Sequence, residues 1–202
     1  VLVIGGGISG ASIARGLTKW KLDVLLVDKE ADLALQASGR NDGEVHPGID
    51  LGKGSLKHKY IRRANHMYAD VCRELDVPFK QVGQYVLFRN AALKPLIGLY
   101  AFWRKHHDGI EDTEIISGKE LMRREPNLTP ETKFAMYNPS AGCVCPYGLT
   151  IAYAENAVQN GAQVSLNTAV LSMEVSEHNI ISVTTNRGVI HPKIVINAAG
   201  VF

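Results

Sequence analysis

The most constraining stretch of this chain is its first 28 residues. Val1-Leu2-Val3-Ile4 is an unbroken apolar run, the pattern of a strand buried on both faces of a parallel sheet. Gly5-Gly6-Gly7-Ile8-Ser9-Gly10 follows it and fits G-x-G-x-x-G. Ile8, Ala11, Ala14 and Leu17 then recur at three-residue spacing, which predicts a helix over Ile8–Lys19. Val24-Leu25-Leu26-Val27 is a second buried strand, and Asp28 closes it 18 positions after Gly10. Strand, glycine turn, helix and strand ending in an acid make a βαβ unit suited to a dinucleotide. Gly5 makes the tight turn, Gly7 lets the backbone approach a pyrophosphate, and Gly10 lets helix and strand pack closely. The helix start, Ile8 and Ser9 included, offers free N–H groups and the positive dipole end to phosphates. Asp28 can accept from ribose hydroxyls and disfavours a 2′-phosphate. On these residues alone, NAD and FAD both remain open.

Composition narrows the class. The chain has 202 residues, 46% of them hydrophobic, with 22 basic and 20 acidic residues and a net charge of +2. That is globular composition, with no basic block of the kind that neutralises many phosphates, so a nucleic-acid partner is not expected. No apolar run approaches the ~18 residues of a spanning helix. Cys72, Cys143 and Cys145 are too few for a disulfide scaffold and point to a reducing, cytoplasmic setting. The first residues already read as a core strand and the last follow an apolar run directly. A piece of a longer protein, truncated at the C-terminus, is therefore expected.

Residues 29–55 read as a long loop with one helical turn, and loops of that length are usually functional. Helices are expected over Leu56–Leu75, Ala91–His107, Ser117–Arg124 (Ser117 and Glu120 forming a capping box) and Thr150–Asn160. Strands are expected at Gln84–Phe88, Lys133–Asn138, Ala162–Leu166, Ala169–Val175, Ile180–Thr185 and Ile194–Asn197. The stripe Leu96, Leu99, Tyr100 and Trp103 is expected to face a core rather than a membrane.

The next segment separates the two cofactors. Ser38-Gly39-Arg40-Asn41-Asp42-Gly43-Glu44-Val45-His46-Pro47-Gly48 stands where an NAD domain normally starts a second βα unit. GGGISGASIARGL, VLLVDKE, ASGRNDGEVHPGI and GSLKHKY together resemble the flavin-dependent D-amino-acid oxidase superfamily. The nearest resemblance is to its branch of FAD-dependent glycerol-3-phosphate dehydrogenases and L-2-hydroxyglutarate oxidases. Ala141-Gly142-Cys143-Val144-Cys145-Pro146 and Asn197-Ala198-Ala199-Gly200 carry the same resemblance. It covers nearly all of this chain and the front part of a family member. Family members often have Asp where Cys145 stands.

The resemblance implies an α/β, Rossmann-like FAD-binding fold with an inserted α+β substrate domain. The expected division is FAD-binding residues 1–82 and 141–202, with 83–140 as the substrate or cap part. It further implies oxidation of a secondary alcohol on a small anionic substrate by hydride transfer to flavin, with electrons leaving to an unidentified acceptor. Glycerol 3-phosphate is the first expected substrate and L-2-hydroxyglutarate the second. A flavin-binding redox module without its own catalysis and a plain NAD dehydrogenase are the rivals.

His46 is the first candidate for the chemistry, as a base, as a flavin hydrogen-bond partner or as a point of covalent attachment. Cofactor contacts are expected from Gly5, Gly7, Ile8, Ser9, Gly10, Asp28 and Lys29, and from Ser38, Arg40, Asn41 and Gly43. The turn Ala198, Ala199 and Gly200, after a core strand, is expected to complete them. Tyr85 faces either the flavin or its own sheet. Lys53, Lys57, His58 and Lys59 read as a solvated helix start, and Cys143 with Cys145 lacks the further ligands of a metal site.

Overall fold

The computed structural model describes residues 1–108 and 113–201. In chain order the elements are β1 (Leu2–Ile4), α1 (Ile8–Leu17), β2 (Leu25–Val27), a 3-10 turn at Ala37–Gly39, β3 (Glu44–Val45), α2 (Leu56–Glu74), β4 (Phe79–Lys80) and β5 (Gln84–Phe88). A second 3-10 turn at Ala91–Leu93 leads into α3 (Lys94–Asp108), β6 (Glu114–Ser117), α4 (Gly118–Arg124), β7 (Phe134–Asn138) and β8 (Gly142–Val144). The remainder is α5 (Pro146–Gln159), β9 (Gln163–Ser165), β10 (Val170–Val175), β11 (Ile180–Thr185), β12 (Gly188–Ile190) and β13 (Val195–Asn197). The described residues fall into two compact units, one of Val1–Gly43, Cys72–Pro78 and Cys145 onward, the other of Glu44–Val71 and Phe79–Val144.

The first unit is built on a parallel sheet in the order β13-β1-β2-β9. Leu2 pairs with both Leu25 and Val195, and Leu25 with Gln163. The pleat sends alternate residues to opposite faces. Val3 and Leu26 go to one side, where they pack with Ala11 and Ala14 of α1 and Ala154 and Ala157 of α5. Leu2 and Val27 go to the other, against Val183 and Ile180 of the antiparallel sheet β10-β11-β12. Both faces of β1 and β2 are thus covered, which is why their sequences are uninterrupted apolar runs. Burying one such side chain contributes about 1.5–3 kcal/mol.

Helix α5 starts at Pro146, earlier than the Thr150 that its apolar spacing suggests. Pro146 occupies the first helical turn, where its missing N–H costs nothing, and Cys145 is the N-cap, its Sγ accepting from Gly148 N at 3.4 Å.

The second unit holds two antiparallel sheets, β5-β7-β6 and β3-β8-β4. It includes 44–71 because Glu44–Val45 and Phe79–Lys80 both pair with Gly142–Val144. One face of β5-β7-β6 packs Met136 and Val86 on Ile49 and Ala101. The other packs Ala135 and Ile116 on Leu121 of α4. Ser117 caps α4 by accepting from Glu120 N at 3.3 Å. The Glu120 carboxylate turns to Arg123 and Arg124, which hold it down at about 2. Tyr85 stacks on Tyr137 with ring centroids 4.7 Å apart.

The stripe on α3 corrects the expectation of a core face. Leu96 and Leu99 are 62% and 65% exposed, and Phe102 and Trp103 are exposed as well. Ile97, Ala101 and Arg104 form the inward face instead. Arg104 directs its Nη1 and Nη2 to two loop carbonyls, and the larger apolar side chains stand on the outer side of the helix.

Candidate functional site

The C-terminal ends of the parallel strands converge on one cavity of about 430 Å³ in the first unit. Open α/β sheets bind ligands at such strand ends, and the volume suits a small-molecule or cofactor site. Ile4 and Gly5 reach it from β1, Val27 and Asp28 from β2, Thr168–Val170 after β9, and Ala198–Gly200 after β13. Gly7, Ser9, Lys29 and Ser38 complete the predicted part of its wall.

The glycine turn is shaped by what surrounds it. Gly5 has φ +106°, and a Cβ there would lie 2.4 Å from the Ala198 carbonyl oxygen. A left-handed backbone and a backbone neighbour at that range leave glycine as the residue that fits. Gly7 is the N-cap of α1 and caps it with no side chain. A Cβ on Gly7 would sit 2.8 Å from Ser38 Oγ, and that hydroxyl accepts from Ile8 N at 2.9 Å. The helix therefore begins with one N–H held by Ser38.

Asp28 ties the turn to the loop beyond β2. Its Oδ2 accepts from Gly6 N at 2.5 Å and its Oδ1 from Glu30 N at 2.8 Å. Each oxygen keeps a further lone pair for a ligand hydroxyl. The backbone of Asp28 is clasped by the β9 loop, through Thr168 N to Asp28 O at 2.7 Å and Asp28 N to Ser165 O at 3.1 Å.

Other predicted contacts stand elsewhere. Ile8, Gly10, Arg40, Asn41 and Gly43 are not on the cavity wall. Gly10 instead packs against the Gly5 carbonyl, as the close helix–strand approach requires. The Asn41 side chain donates to Ala37 O and Ser38 O and accepts from Gly43 N, so it braces the turn that carries Ser38. The sequence reading missed Glu30, Leu35–Ala37 and Thr168–Val170 on the wall. The signal for Thr168–Val170 was present: Ala162–Leu166 reads as a strand, and a parallel strand brings the loop after it to the ligand edge.

Residues 1–202 match the family described as FAD dependent oxidoreductase, DAO. The chain belongs to this FAD-dependent oxidoreductase family. A glycerol 3-phosphate dehydrogenase of Caloramator mitchellensis is 36% identical over 203 residues, which is 100% of this chain and 42% of that protein. A mitochondrial L-2-hydroxyglutarate dehydrogenase of Nematostella vectensis is 28% identical over 98% of this chain and 43% of its own length. The chain thus spans less than half the length of both. Among solved structures, the L-alpha-glycerophosphate oxidase of Mycoplasma pneumoniae with FAD bound superposes with a TM-score of 0.81. It is 25% identical, over 92% of this chain and 49% of that one.

The cofactor of the family is FAD, and the cavity fits it. Side-chain-free backbone at Gly5 and Gly7, a helix start, a carboxylate with spare lone pairs and a small-residue strand end at Ala198–Gly200 are the groups a dinucleotide needs. No helix among the described residues is long and apolar enough to cross a membrane.

His46 belongs to the second unit of this FAD-family chain, directly after β3. Gly48 N donates to its Nδ1 at 2.9 Å, and its Nε2 lies 3.4 Å from Asp50 Oδ1.

Proposed function

We propose that this chain forms the FAD-binding part of an oxidoreductase that oxidises the secondary alcohol of a small anionic substrate, with glycerol 3-phosphate first. The observation that carries the reading is the cavity at the parallel strand ends, with Gly5, Gly7, Asp28 and Ala198–Gly200 on one wall. The order of substrates rests on the 36% relative, which is a glycerol 3-phosphate dehydrogenase. L-2-hydroxyglutarate is the second reading, supported by the relative at 28%.

When bound, FAD supplies a two-electron acceptor for the substrate carbon. Gly5 and Gly7 would admit its pyrophosphate to the backbone, and the start of α1 would face the phosphate charge. Asp28 would accept from ribose hydroxyls while holding the Gly6 and Glu30 amides. Ser38 would fix the first helical N–H beside the phosphates. Ala198–Gly200 would let the chain lie against the cofactor without side-chain interference. Electrons would leave to an acceptor still to be found.

The test is an anaerobic visible spectrum of the full-length, FAD-loaded protein. Bleaching by glycerol 3-phosphate supports the first reading, and bleaching by L-2-hydroxyglutarate in a separate sample supports the second. A flavin band that neither compound bleaches removes both substrates. No flavin band after reconstitution with FAD overturns the cofactor reading.

A further inference from the structure

Helix α3 turns its largest apolar side chains to the outside of the second unit. Leu96, Leu99 and Trp103 recur at three- and four-residue spacing and so share one face. Phe102 joins them at 60% exposed, and Trp103 is 40% exposed. His106 stacks on Phe102 one turn further on, with ring centroids 4.3 Å apart.

Cations border this stripe on both sides. Lys94 and Lys105 are eleven residues apart, three helical turns, so they stand on the same flank, and both are exposed. The chain that enters α2 runs along the other flank. Tyr100 OH donates to Ile49 O, Arg104 Nη1 to Leu51 O and Lys53 Nζ to the carbonyl of His107. Lys57, Lys59 and Arg63 are exposed on the first turns of α2, with Leu56 and Tyr60 exposed among them. All of these residues lie in the second unit.

The net charge of the whole chain hides this arrangement. Between Asp50 and Asp70, residues 51–69 hold five Lys and Arg and no acid. Residues 91–107, which end before Asp108, hold three and no acid. The other 166 residues hold 14 Lys and Arg against all 20 Asp and Glu. Arg62 and Arg104 give donors to backbone carbonyls of the loop before α2. The remaining six cations of the two stretches are exposed.

We propose that α3 and the start of α2 form a docking surface for an anionic lipid bilayer, with α3 lying among the headgroups. An apolar face with Trp, Phe and Leu, bordered by lysines, is the composition of a helix that lies in the interface. The 15 residues of α3 are fewer than the ~20 a helix needs to cross. Lysine stems lie along apolar surface while their heads stay in water, which suits phosphate headgroups above an acyl layer. A second copy on the same face is disfavoured, because an isologous contact would set these cations against their own counterparts. The surface is independent of the cofactor and of the substrate.

The test is flotation of the full-length, FAD-loaded protein with vesicles. One set is phosphatidylcholine alone, and the other is phosphatidylcholine and phosphatidylglycerol in equal parts. Binding to the anionic set, weakened in high salt, is expected. Lys94→Gln and Lys105→Gln should each lower the partition coefficient about fivefold, as ~1 kcal/mol per cation near the surface implies. Leu96→Gln and Leu99→Gln should each lower it about 10-fold, since part of each side chain then no longer leaves water. Flavin content and melting temperature should stay at wild-type values in all four, because each replaced side chain is exposed. If a leucine variant melts early, the lysine variants decide. No binding to anionic vesicles overturns the proposal, as does equal binding to both sets. Wild-type partition in all four variants overturns it as well. A dimer in sedimentation velocity that Leu99→Gln dissociates, with no vesicle binding, assigns the face to a second copy instead.

Discussion

A Cβ on Gly10 would lie 1.9 Å from the carbonyl oxygen of Gly5, so α1 meets the glycine turn with no space for a side chain. The obstacle is backbone, which cannot rotate away. Gly10→Ala is therefore expected to push the helix off β1 and to widen the cavity wall. Overpacking of this kind costs about 1–3 kcal/mol. A lower melting temperature and faster FAD release in flavin-fluorescence assays are the expected outcomes. A variant with unchanged melting and unchanged FAD affinity would show that the helix accommodates the methyl group.

Asp28 serves the protein before it serves a ligand. Its two oxygens accept from the amides of Gly6 and Glu30. Removing the carboxylate in Asp28→Ala leaves both part-buried donors unpaired, at about 1–3 kcal/mol each if water does not replace the bond. Isothermal titration should show FAD affinity falling by at least 10-fold. Asp28→Asn should fall between, because its carbonyl can serve one amide while its NH2 opposes the other.

These two residues also show what the sequence makes legible. Gly5, Gly7, Gly10 and Asp28 belong to one short βαβ unit, and their spacing encodes local geometry that does not depend on the rest of the chain. Thr168–Val170 reach the same cavity only because β9 adds in parallel beside β2, a pairing between residues more than a hundred positions apart. The strands β3, β4 and β8 are two or three residues long, too short to show alternation. They become strands because Gly142–Val144 has both neighbours to pair with. The start of α5 is marked by Pro146, while its apolar spacing begins only a turn later. On α3, the spacing of Leu96, Leu99 and Trp103 is helical, yet the face turned inward is the one carrying Arg104, whose hydrogen bonds outweigh the pattern.

Cys145 caps its helix only weakly. It is the N-cap of α5, and its thiol accepts from Gly148 N at 3.4 Å, a weak bond. An Asp at that position is among the best N-caps and places negative charge at the positive end of the helix. Cys145→Asp is thus expected to stabilise the protein by about 0.5–2 kcal/mol. Differential scanning calorimetry should show a rise in melting temperature that shrinks in high salt. A fall in melting temperature would mean that the thiol has a role beyond the cap.

Tyr147 OH donates to Asp32 Oδ2 at 2.6 Å, joining the first turn of α5 to the loop that walls the cavity. The bond holds the Asp32 carboxyl below its ordinary 3.8, with help from the Leu33 amide, and raises the Tyr147 phenol above its ordinary 10.0. The signs are opposite. A depressed carboxyl stabilises the fold above pH 3.8 and loses that contribution as pH falls through the folded value. A raised phenol stabilises it below pH 10.0 and loses that contribution as pH rises through the folded value. The difference in melting temperature between wild type and Tyr147→Phe should therefore form a plateau between those limits and close at both ends. Both groups are exposed, so the plateau is small. In an NMR titration of the variant, the Asp32 carboxyl should rise toward 3.8 but stop short of it, because the Leu33 amide still donates to Oδ1 at 2.7 Å. An Asp32 titration identical in the two proteins would show that the Leu33 amide alone sets it.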